Sequence, residues 1–106
     1  MAHYLFTATY STEGLRGVLA EGAAPRMAAV SKLCESLGGR LEAGYWTFGD
    51  ADYIAIAELP DNAAAAAFAT GVSSSGTVGV STTVLLSAEE VDEARGRNPA
   101  YRPPGE

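Results

Sequence analysis

The sequence predicts an α+β fold, an antiparallel four-stranded sheet with helices on one of its faces. Three observations carry that reading. Residues alternate with a period of two over Tyr4 to Tyr10 and again over Thr77 to Leu86, as strands with one covered face do. Between them lie two stretches of helical character with start and stop signals, around Pro25 to Leu37 and Ala63 to Ala69. The middle strands, Arg40 to Phe48 and Tyr53 to Glu58, are joined only by Gly49-Asp50-Ala51-Asp52, a hairpin-length link.

The first strand places Tyr4, Phe6, Ala8 and Tyr10 on one face and Leu5, Thr7 and Thr9 on the other. Ser11 to Gly22 mixes turn formers with Leu15, Val18 and Leu19, which predicts a connection holding one irregular helical turn. A helix follows from Pro25, whose missing amide hydrogen would have no partner in a first turn anyway. Met27, Val30, Leu33, Cys34 and Leu37 form its apolar stripe, and Gly38-Gly39 ends it.

Strict alternation in the second strand predicts Leu41, Ala43, Tyr45 and Thr47 opposite Glu42, Gly44, Trp46 and Phe48. The third strand is apolar at five consecutive positions, which predicts cover on both faces. Pro60-Asp61-Asn62 then breaks the strand and caps a short alanine-rich helix anchored by Phe68, which the serine-rich stretch Gly71 to Gly76 ends. The fourth strand aligns Val78, Val80, Thr82, Val84 and Leu86 on one face. Ser87-Ala88-Glu89-Glu90 is a capping box and opens a short C-terminal helix reaching Arg95. The domain is expected to span 1–95. Residues 96–106 are expected to form an extended tail, because each of its prolines fixes its own backbone and biases its predecessor away from helix.

The order strand, helix, strand, strand, helix, strand is the ferredoxin-like βαββαβ arrangement. Right-handed crossovers put both helices on one side of the sheet. The first, third and fourth strands carry apolar residues at both parities, so the other side is an apolar surface. A second copy would cover it, giving a homodimer of the dimeric α/β-barrel kind.

Composition bounds the function. A chain of 106 residues suits one domain, and an apolar share of 47% against 19% charged residues is that of a folded globular protein. A formal charge of -6 with scattered basic residues argues against nucleic acid or an anionic membrane as partner, since phosphate binding needs clustered cations. One cysteine makes no internal disulfide, the first residues lack a secretory pattern, and no apolar run approaches the roughly 20 residues of a membrane span. The expected setting is cytoplasmic.

Several of these segments together resemble one family. The stretch Tyr45-Trp46-Thr47-Phe48-Gly49-Asp50-Ala51-Asp52-Tyr53 continues through Glu58-Leu59-Pro60-Asp61. Around it stand Gly14-Leu15, Leu37-Gly38-Gly39, Ser75-Gly76-Thr77-Val78 and Glu89-Glu90. In that order, up to Arg95, the chain resembles the GYD domain family. Gly49 and Asp52 match its Gly-x-Tyr-Asp signature, and Ala51 stands where the signature has tyrosine. The resemblance implies a ferredoxin-like fold in the dimeric α/β-barrel group, with no activity attached to the family. Neighbouring families of that group include cofactor-independent monooxygenases, isomerases, haem enzymes and sensing domains, and fold alone does not choose among them.

Few residues offer chemistry. Asp50 and Asp52 are close enough to hold a cation or raise one another's pKa, or else they hydrogen-bond the turn backbone. Tyr45, Trp46 and Phe48, and with them Tyr4, Tyr10 and Tyr53, either line a pocket for a flat organic ligand or fill the core and the dimer contact. His3, the one histidine, is the default general base, although the start of a strand is where an idle, exposed side chain is also expected. The catalytic candidates are therefore His3 and Asp52.

With no second histidine or cysteine at ligand spacing, neither a metal site nor a cofactor is predicted, and Cys34 reads as a small buried hydrophobe. Arg26 or Lys32, if not simply solvated, would meet an acidic ligand at a pocket mouth. No nucleophile elbow, phosphate loop or dinucleotide fingerprint is present. Three functions fit: a dimeric domain binding a small organic molecule or a partner protein in a sensing or accessory role, a cofactor-independent oxygenase or isomerase acting on an aromatic substrate, and a structural assembly protein.

Overall fold

Eight elements follow one another along the chain in the computed structural model, which describes residues 1–106. They are β1 (Ala2–Tyr10), α1 (Thr12–Glu21), α2 (Ala23–Ser36), β2 (Arg40–Trp46), β3 (Tyr53–Leu59), α3 (Asn62–Ser73), β4 (Val78–Leu85) and α4 (Ala88–Arg95). The strands form one antiparallel sheet in the order β2-β3-β1-β4. That is the expected ferredoxin-like order, with α1 added to the first crossover. No helix is long and apolar enough to cross a membrane.

Strand alternation builds the core. Tyr4, Phe6 and Ala8 of β1 and Tyr53, Ala55, Ala57 and Leu59 of β3 turn to the same side, where they meet Cys34 of α2 and Ala65 and Phe68 of α3. Alanines on both β3 and α3 let the helix lie close, and the Phe6 and Phe68 rings stack with centroids 3.9 Å apart. Each buried aromatic of this kind contributes about 1.5–3 kcal/mol relative to exposure.

On the opposite side His3, Leu5, Thr7, Ile54, Ile56 and Glu58 alternate with the core residues and are only partly covered. The continuous apolar run of β3 was expected to mean cover on both faces. In the single chain only one face of β3 is buried, because every packed helix lies on that side.

Three helices depart from the sequence reading. Ser11 to Gly22 is not a connection with one irregular turn but a ten-residue helix. The Ser11 hydroxyl caps it by accepting the Gly14 N–H at 3.1 Å, and Val18 is buried beneath it. Gly14, read as a breaker, is needed by packing: a Cβ there would stand 2.3 Å from the Thr77 carbonyl oxygen, which accepts the Ser11 N–H at 2.9 Å. Next, α2 starts two residues before Pro25, which is tolerated within the first turn because amides there have no intrahelical acceptor. Finally, α3 runs past Ala69 to Ser73, since Val72 continues its packing against the core and Thr70 bonds back to Ala66.

The second strand carries a bulge. Leu41 stands opposite Ala57 and Ala43 opposite Ile56, so Glu42 is an extra residue and the parity of everything after it is reversed. Leu41, Gly44 and Trp46 therefore share the helix side, while Ala43 and Tyr45 lie on the open face with Ile54 and Ile56. The strand also stops at Trp46 rather than Phe48, because Phe48 takes φ 49°, a left-handed conformation no strand can contain.

Beyond β4 the Ser87–Glu90 capping box forms as expected, with hydroxyl and carboxylate each 3.1 Å from the backbone nitrogen it serves. Every residue from Ala88 to Glu106 is nonetheless exposed. The radius of gyration of 16.7 Å exceeds the ~13 Å of a compact chain of this length, consistent with an arm that stands off the body.

Candidate functional site

Between the sheet and helices α2 and α3 the small residues leave space. A cavity of about 70 Å3 is walled by Phe6, Ala55, Phe68, Val30 and Leu33, with Tyr53 and Tyr10 along one side. Arg26 is the only charged residue on its wall. A wider cleft of about 260 Å3, bordered by Gly14, Gly17, Glu21 and Thr77, shares Tyr10, Arg26, Val72 and Val78 with it, so the two adjoin around those side chains.

Polar groups are few and placed at one end. Tyr53 is buried, and its hydroxyl has no hydrogen-bond partner. It is aimed at β2, where a Cβ on Gly44 would stand 2.3 Å from the phenol oxygen. Burial pushes the Tyr53 phenol above its ordinary value, with Tyr10 and Cys34 adding to the effect and Arg26 opposing it. Burial likewise raises the Tyr10 phenol, against the pull of the Arg26 guanidinium. Both are neutral donors near pH 7, set beside one fixed positive charge.

An aromatic wall backs this end. The Trp46 ring lies 5.9 Å from Tyr10 and 6.0 Å from Phe48, nearly parallel to both, and is tilted against Tyr53 at 4.7 Å. Of the aromatic residues expected to line a pocket, Tyr10, Trp46 and Phe48 are thus brought together. Tyr45 is not: the Glu42 bulge sends it to the open face, where it is 65% exposed.

The acidic candidates serve the backbone. Asp52 Oδ2 accepts the Tyr10 N–H at 2.8 Å, and the Asp52 N–H donates to Ala8 at 2.9 Å. Asp50 is exposed in the turn between β2 and β3. His3 is held inside β1 rather than at a frayed end, paired with Glu58 on β3 and Leu85 on β4. It faces away from the cavity and contacts Glu42. His3 and Asp52 sit near opposite ends of β1 and do not form one site.

Tyr53 is among the aromatics expected in a pocket or the core, and Gly44 is the residue of this site that escaped the sequence reading. The Tyr53 hydroxyl and its fit to Gly44 follow from the bulge, which no local pattern announces. The parity of β3 was a usable signal, since Tyr53 shares its face with Ala55 and Ala57. Cys34 behaves as expected, fully buried with its thiol pushed up to about 11 by burial.

Neither the curated proteins nor the solved structures give a match to the chain. The family model described as the GYD domain matches residues 4–94 of the 106, covering the sheet, except the first two residues of β1, and the helices packed on it, and the chain belongs to the GYD domain family.

Proposed function

We propose that this domain binds a small organic anion, with an apolar or aromatic body and a carboxylate-like head, in a non-catalytic sensing or accessory role. One observation carries the reading: an apolar cavity whose polar features are two tyrosines, Tyr10 and the unpartnered Tyr53, and one arginine. Such a lining holds a hydrophobic body through Phe6 and Phe68 and orients its head through Arg26 and Tyr53. The separation of His3 from Asp52 weighs against an oxygenase or isomerase mechanism that would use the two together.

The test is isothermal titration with benzoate, phenylacetate and salicylate beside their neutral amides, with Trp46 fluorescence as a second readout. The acids should bind more tightly than the amides. Arg26→Ala should erase that preference, and Tyr53→Phe should weaken all members. Equal binding of acids and amides, or affinities indifferent to both substitutions, overturns the reading.

The same chain is proposed to act as a homodimer. Leu5, Ile54, Ile56 and Tyr45 form an apolar patch on the open face that no helix and no part of the tail covers. A twofold copy would bury it sheet to sheet, leaving the cavity on the helix side accessible in each subunit.

A further inference from the structure

On the open face three metal-binding side chains converge from three adjacent strands. His3 of β1 lies directly opposite Glu58 of β3, and Glu42 is the extra residue of the β2 bulge. One ligand atom of each lies within 4.8 Å of the other two, and the His3 Nδ1 already touches Glu42. The carboxylate side chains are 26% and 21% exposed. For two such carboxylates there is one permanent cation in contact, Arg40, whose guanidinium lies 3.0 Å from Glu58 and is itself 63% exposed. Beside the triad is a depression of about 250 Å3 lined by Ile56, Leu85, Leu86 and Ser87 as well as His3 and Glu42.

We propose that His3, Glu42 and Glu58 form a three-ligand site for a divalent transition-metal ion of the Zn2+ type, with its open positions facing that depression. One imidazole nitrogen and two carboxylate oxygens supply a mixed donor set, which the ion would draw in to bonds of ~2.0–2.2 Å. The imidazole selects transition metals over Mg2+ and Ca2+, which prefer all-oxygen shells. Neutral histidine with two carboxylates balances a charge of two. The strands fix the three backbones, so little ordering entropy is lost on binding. Arg40 occupies Glu58 in the free state and swings to solvent when the ion enters. The site lies across the sheet from the cavity, so it stands or falls independently of the ligand proposed there.

Untagged protein stripped with EDTA is titrated with Zn2+ by calorimetry and with Co2+ by visible absorption, which reports coordination directly. One ion per chain should bind with micromolar affinity, and Mg2+ should not compete. His3→Ala and Glu42→Gln should each weaken binding by more than about tenfold. Arg40→Ala should tighten it by releasing Glu58, and Glu89→Gln, on the exposed arm, should leave it unchanged. Circular dichroism confirms that each variant is folded, and the isosteric Glu42→Gln keeps the test valid if His3→Ala disturbs β1. No saturable binding, or binding that survives both ligand substitutions, overturns the proposal. So does a Zn2+ affinity equal in wild type and Arg40→Ala.

Discussion

The carboxylate of Asp52 accepts the backbone N–H of Tyr10 at 2.8 Å, tying the β2–β3 turn to the end of β1. The Asp52 N–H, given to Ala8, makes this a two-point clasp. Removing the acceptor in Asp52→Ala strands a partly buried amide and should cost about 1–3 kcal/mol in urea unfolding. Asp52→Asn keeps an acceptor oxygen and should cost clearly less. Equal losses would show that the charge, not the acceptor, matters.

Gly44 and the Tyr53 hydroxyl are fitted to one another. Gly44→Ala should destabilise by about 1–3 kcal/mol through overpacking, since the new Cβ would meet the phenol oxygen at 2.3 Å. Tyr53→Phe alone should be neutral or stabilising, because it removes a buried hydroxyl that has no partner. Combined, the two should lose less than Gly44→Ala alone. A double-mutant cycle with no coupling would refute the fit.

Stability should fall on the alkaline side. Burial raises the Cys34 thiol from 9.0 to about 11 and raises the Tyr53 phenol above 10.0. A folded-state value above the unfolded one means that the folded chain holds the proton longer. Its contribution is complete below the unfolded value and is lost as pH climbs through the folded one. Denaturation midpoints should therefore hold up to about pH 9 and drop between there and pH 11, with the thiol unreactive toward disulfide reagents until the chain unfolds. A midpoint that rises over that interval would contradict both shifts.

Light scattering on a sizing column should give a dimer at micromolar concentration. Ile56→Glu, placing a charge in the middle of the open face, should give a folded monomer with the same far-ultraviolet spectrum. A wild-type monomer rejects the pairing, and a dimer undisturbed by Ile56→Glu places the contact elsewhere.

Strand order, helix side and much of the core were legible because alternation in β1 and β4 is regular and each element carries its own punctuation, whereas the unbroken apolar run of β3 hid that only one of its faces is buried. Where reading failed, packing had overruled local signals. Gly14 and Gly17 looked like breakers in α1, yet Gly14 is required by the Thr77 carbonyl beside it. Strict alternation puts Tyr45 on the side of Leu41 and Trp46 on the other, and the bulge, which lies in no residue type that marks one, exchanges the two. Arg26 was a visible candidate for a pocket mouth. The grouping of His3 with Glu42 and Glu58 was invisible, since it depends on strand register between distant segments.

Glu42 acts as a phase slip of one residue in the middle of a hairpin. Excising it would leave Ala43 to Trp46 opposite Ile56 to Tyr53 as they are, with Tyr45 outside and Trp46 against Tyr53, and would only make the ladder regular. What the extra residue supplies is an odd separation, so that Leu41 and Trp46, five positions apart, both turn inward, which an unbroken strand of the same length would forbid.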